Sequence, residues 1–132
     1  MQHLNHEQVL ALEPREQYLY FVHKVVATGE IWGLYDEEKS GWAMTRNEAG
    51  QELLPLWPTV VFAEEARREQ WEACTPLPMD IEIFVRETLD ELVDQGRGLS
   101  VFYLDEQGGL DIEPEQLRKD LLTLKQHQEG KE

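Results

Sequence analysis

ELLPLWPTVVFAEEARR, residues 52–68, changes character halfway along. Its opening is apolar, and Pro58 bars a strand from continuing past Trp57. Thr59 then stands where a helix N-cap belongs. Beyond it Val61, Phe62 and Ala66 are expected on one buried helical face, while Glu64, Glu65, Arg67 and Arg68 stay in water. The acids precede the arginines, the order the helix dipole favours. The stretch reads as strand, corner and helix, and its tryptophan needs no ligand to account for it. Pro55 cannot donate to a ladder, which predicts an edge position or an early end for this strand.

Working outward, two more short strands lie upstream, Ile31–Tyr35 (IWGLY) and Trp42–Arg46 (WAMTR). The polar turns DEEKSG and NEAG separate the three, which predicts an antiparallel meander. Before them, Asn5 with Gln8 has capping-box spacing. Pro14 suits a first helical position, Tyr18, Phe21, Val22 and Val25 form a core stripe, and Gly29 ends that helix.

Downstream, EACTPLP (72–78) is extended and punctuated by Pro76 and Pro78. Asp80 caps the clearest helix, whose expected stripe is Ile81, Phe84, Val85, Leu89, Leu92 and Val93. LSVFYLD (99–105) is the best single strand, followed by a Gly-rich turn and the short LDI. Pro114 opens a last helix with Leu117, Leu121, Leu122 and Leu124 apolar, and HQEGKE is predicted to fray. The expected fold is one α+β domain over 1–132, its core about 14–125, with a mainly antiparallel sheet packed by helices.

Charge bounds the partners. The chain carries 27 acids against 12 bases, a net charge of -15. Residues 1–79 hold 13 acids and 6 bases and residues 80–132 hold 14 and 6, so the acidity is no tail. Such a surface repels phosphate backbones and anionic lipids, so neither nucleic acid nor membrane is an expected partner. A basic protein would be drawn in by attraction that salt weakens. Acidity also serves solubility by itself. The single Cys74 cannot close an intrachain disulfide. MQHLNHEQ lacks the pattern of a secretory signal, and LYFVHKVVA is too short to span a bilayer and is broken by His23 and Lys24. A cytoplasmic location is the expectation.

Chemical motifs are sparse. The sequence has no Cys-x-x-Cys, no His-Glu-x-x-His, no phosphate-cradling glycine loop and no Gly-x-Ser-x-Gly elbow. His3 and His6 could share a helical face, but two ligands near a terminus make a poor metal site. Glu69 and Glu72 beside Cys74 work against a thiolate, so a buried structural cysteine is expected. Asp36, Glu37 and Glu38 precede Gly41-Trp42, and Asp105-Glu106 precede Gly108-Gly109. Meeting at one end of the sheet, these carboxylates could hold a cation or move protons, although turn carboxylates are commonly just solvated. Trp32, Trp42, Trp57 and Trp71 are either core or recognition surface. Alternation puts Trp32 and Leu34 on one face of the first strand and Ile31, Gly33 and Tyr35 on the other. The candidate binding residues are therefore Trp32, Trp42, Trp57, Asp36, Glu37 and Asp105, with no catalytic residue, metal or cofactor expected.

WGL (32–34), GWA (41–43) and LPLWP (54–58) followed by Phe62-Ala63 resemble the bacterial domain-of-unknown-function family numbered 2750. The order of elements looks the same over roughly residues 14–125, through the Asp-capped helix and the Gly-rich turn before Glu113-Pro114. The resemblance implies a small bacterial cytoplasmic protein and supplies no activity and no catalytic residue.

Two roles follow as expectations. The first is a non-catalytic protein-binding module for a basic partner, for instance an inhibitor or immunity-type protein. The alternative is a small enzyme or small-molecule binder built from the acidic turns and a tryptophan-lined pocket. An uncovered sheet face could also bury itself in a homodimer.

Overall fold

The computed structural model describes residues 4–103 and 109–129. Strand β1 (Glu30–Asp36) lies between β2 (Gly41–Trp42) and β5 (Thr75–Asp80) in an antiparallel three-stranded sheet. A four-stranded sheet runs β3 (Thr45–Arg46), β4 (Glu52–Leu56), β6 (Gly98–Val101), β7 (Leu110–Ile112). Only its β4–β6 pairing is parallel. The fold is α+β in a single domain, as the sequence predicts.

The meander, however, is not one ribbon. Ala43 still donates its N–H to the Leu34 carbonyl at 2.7 Å, and only then does the chain leave β1 to pair with β4. WAMTR thus breaks into β2 and β3, whose ends serve different sheets. The sheets touch where Trp32 and Trp57 exchange backbone hydrogen bonds, both 2.9 Å.

Pro55 is likewise not at an edge, since β4 is flanked by β3 and β6. Backbone groups alternate between the two edges of a strand. The Leu56 carbonyl accepts from Phe102 on the β6 side, while Trp57 donates to Trp32 on the other. Pro55 therefore turns its nitrogen into the gap between the Leu53–Thr45 pairing and the Trp57 bridge, where no ladder bond is lost. The same parity explains β5. Pro76 and Pro78 face Leu34 and Trp32, whose backbone groups serve the far edge of β1. Their nitrogens point outward and blunt the open edge.

Helix α1 (His6–Leu10) carries the expected capping box between Asn5 and Gln8. Helix α2 (Pro14–Thr28) begins at its proline, ends at Gly29 with φ 77°, and buries Tyr18, Phe21, Val22 and Val25. In α3 (Val60–Gln70) Thr59 takes the N-cap position without a side-chain bond. Val61 points outward at 58% exposure, and Ala63 joins Phe62 and Ala66 on the buried face instead. Asp80 accepts from the N–H groups of Glu82 and Ile83 and starts a continuous helix. That helix runs as α4 (Ile81–Ile83), a wide π turn (Phe84–Thr88) and α5 (Leu89–Asp94). In the π turn Leu89 bonds to the carbonyl five residues back, so Phe84 and Leu89 are buried together. The extra residue brings Leu89 and Leu92 round to the face of Phe84, while Val93, expected inside, is exposed.

Strand β6 stops at Val101, short of the expected 99–105. Phe102 adopts φ 63°, and its ring meets Phe62 and Tyr20 at centroid distances of 4.9 and 6.3 Å. Helix α6 (Pro114–Glu129) continues through His127, where fraying was expected, and buries Leu117 and Leu121 while Leu122 stays exposed. Arg118 of α6 pairs with Asp90 of α5, tying the two helices. Among the described residues no helix is long and apolar enough to cross a membrane.

Candidate functional site

The candidate tryptophans do not share a patch. Trp57 is fully enclosed at 0% exposure, and its indole N–H donates to the Tyr103 carbonyl at 2.9 Å. Trp71 packs edge-on against both Trp57 and Tyr103. Trp32 lies half-buried on the Leu34 face of β1, whereas Trp42 belongs to the opposite face.

That opposite face is partly open toward its Tyr35 end, whereas Ile31 on it is buried. Trp42 pairs with Tyr35 across β1 and β2, their rings edge-to-face at 5.5 Å. The indole leans diagonally over Gly33, where a Cβ would stand 2.9 Å from Trp42 Cε3 and 3.3 Å from Met79 Cε. Leu77, opposite Gly33 on β5, is 38% exposed. Tyr35, Trp42, Met79 and Leu77 thus form a contiguous, partly exposed surface, with the indole held by the missing side chain of Gly33.

The turn after Tyr35 carries the predicted carboxylates. Asp36 is half-buried and its Oδ1 accepts from the N–H groups of Glu38 and Lys39, so it caps the turn. Glu37 is exposed beside it. Asp105 lies outside the described residues. Cys74 is buried, and burial, reinforced by Asp36, pushes its thiol above the ordinary value, which keeps it protonated and unreactive at neutral pH. His6 stacks on Phe62 at 4.7 Å and bonds Glu65, a structural role. Among the described residues no cluster of three His, Cys, Asp or Glu could hold a metal.

A second feature escaped the sequence reading. Helices α2 and α6 leave a cleft of about 600 Å³ between them, closed at one side by Leu110 and Ile112 of β7. Arg15, Tyr18, Leu19, Val22 and His23 line it from α2, at spacings that lie along one helical face. Gln116, Asp120, Thr123, Leu124 and His127 line it from α6 in the same way. The Tyr18 hydroxyl donates to Asp120 Oδ2 at 2.5 Å, and Gln116 donates to Oδ1 at 3.0 Å. Burial and the adjacent carboxylate raise the Tyr18 pKa far above the usual tyrosine value. His23 is half-buried at the cleft wall, and that burial lowers its imidazole below the ordinary value. The signal was a second helical stripe beside the core stripe, hidden because it mixes polar and apolar residues.

The sequence model of one family, Protein of unknown function (DUF2750), matches residues 18–121. That span takes in both sheets, the Trp42 face and the facing stretches of α2 and α6 down to Leu121. No curated protein and no solved structure matches the chain.

Proposed function

The chain belongs to this family, and on that footing we propose that it is a non-catalytic binding module that docks a basic protein partner, in the cytoplasm, through the Trp42 face of the first sheet. One observation carries the reading: Trp42 is only partly buried yet held in place over Gly33, beside Tyr35 and Met79, with Asp36 at the end of β1 and Glu37 in the turn just after it. A fixed aromatic with apolar neighbours is the kind of surface on which binding energy concentrates. Surrounding carboxylates select lysine and arginine in the partner, and a net charge of -15 speeds the encounter. An inhibitor of a cationic toxin or nuclease is one concrete form. The same charge works against nucleic acid and anionic membranes.

The alternative built from acidic turns and tryptophans has less support. Asp36 already serves turn N–H groups, and Trp32 and Trp42 sit on opposite faces of β1. The cleft between α2 and α6 is lined by neither of them.

The test is retention of host proteins on the immobilised chain, with the bound species identified by mass spectrometry. The expected result is a basic protein, released by moderate salt and lost with Trp42→Ala and with the pair Asp36→Asn and Glu37→Gln. Leu122→Ala, on exposed α6 surface, should retain it. Absence of any basic protein whose retention depends on Trp42 contradicts the reading. So does a concentration-dependent dimer in light scattering that Trp42→Ala abolishes, which would assign the face to a second copy.

A further inference from the structure

The cleft between α2 and α6 plays no part in that docking surface, and its chemistry runs against the rest of the chain. We propose that it binds a small organic anion: a carboxylate or phosphate head group on an apolar body.

Size comes first, since about 600 Å³ falls within the range of clefts that take small organic ligands. The floor is apolar, made by Val22, Leu110, Ile112 and Leu124 with Leu19 at the rim. Hydrocarbon laid there leaves water, which supplies the non-specific part of the affinity.

Polarity decides the rest. The chain has more than twice as many acids as bases, yet the cleft holds one carboxylate against one guanidinium and two imidazoles. That carboxylate, Asp120, has one oxygen taken by the Tyr18 hydroxyl and the other by the Gln116 amide. A cationic ligand would find a single carboxylate already engaged by two donors and would face Arg15. What remains on offer is donors. Arg15 has no ion pair among the described residues, and His23, His127 and the Thr123 hydroxyl can each donate whatever the protonation of the rings. Donors around an apolar floor suit an anionic head on an apolar body.

Calorimetric titration of the full chain tests this with four probes: octanoate, phenyl phosphate, octan-1-ol and inorganic phosphate. The expected result is saturable binding of octanoate or phenyl phosphate, at least about tenfold tighter than octan-1-ol or inorganic phosphate. The tighter of the two anions identifies the head group. Arg15→Gln should weaken it about tenfold, as loss of a charge-assisted contact would. Leu19→Glu should abolish it by setting a carboxylate at the rim. Both residues are surface-exposed, so circular dichroism should show each variant folded. No saturable binding of either anion, equal binding of octan-1-ol, or binding unchanged in both variants overturns the proposal.

Discussion

Trp42 presses its indole over Gly33 so closely that even a methyl group on the glycine would lie 2.9 Å from the ring. The glycine is there because a neighbour's ring occupies the space a side chain would need.

Gly33→Ala should therefore push the indole off the strand and cost on the order of 1–3 kcal/mol, the usual range for overpacking. In a Trp42→Ala background the same change should cost much less, because the obstructing ring is gone. Urea denaturation of the four proteins in a double-mutant cycle checks it. Equal costs in both backgrounds would show that the ring is not pressed against Gly33.

Trp57 joins the two sheets through its backbone and fills the core with its ring. Trp57→Ala should lose roughly 3–5 kcal/mol, the range for a large buried aromatic. Trp57→Phe should lose less, though it still strands the Tyr103 carbonyl without its indole donor. Denaturant midpoints give both numbers, and near-equal losses would contradict the ranking.

Tyr18 predicts an alkaline limb. Its folded pKa is raised by burial and by Asp120, whereas in the unfolded chain it ionises near about pH 10. Below that pH both states keep the proton and its contribution is whole. Above it the unfolded chain sheds a proton that the folded chain retains, so stability falls by up to about 1.4 kcal/mol per pH unit. Tyr18→Phe should lack this part of the decline. Parallel denaturation of the two proteins on either side of pH ~10 measures it, and identical slopes would count against the raised pKa.

Asp80 caps two N–H groups at the start of the Ile81–Asp94 helix. Asp80→Ala should cost about 1 kcal/mol and Asp80→Asn only a fraction of that. The check is thermal unfolding, where an alanine variant as stable as wild type would deny the cap any role.

Caps and stripes could be read in advance because they depend on residues three or four apart. Asn5, Pro14, Gly29 and Asp80 each do what their residue type favours, and the Phe21–Val25 stripe is buried as spaced. What could not be read depends on distant pairing. Pro55 is harmless inside a sheet only because Trp57 and Leu53 take the neighbouring bonds, a fact of register between β4 and two other strands. The π turn at Phe84–Thr88 has no local sequence signature, and it decides that Leu89 and Leu92 share the buried face of Phe84. The candidate surface was legible in part: alternation put Gly33 and Tyr35 on one face, but not that Trp42 would fold across them. Trp57 showed no outward mark of being enclosed, and the α2–α6 cleft needs two segments about a hundred residues apart.

The most direct measurement follows the four indole N–H resonances while a peptide of alternating arginine and leucine is titrated in at low salt. A basic partner docking on the Trp42 face requires the Trp42 signal to move saturably, with Trp57 fixed and the shift collapsing as salt is raised. A Trp42 resonance that stays still while others move, or a response indifferent to salt, would contradict it.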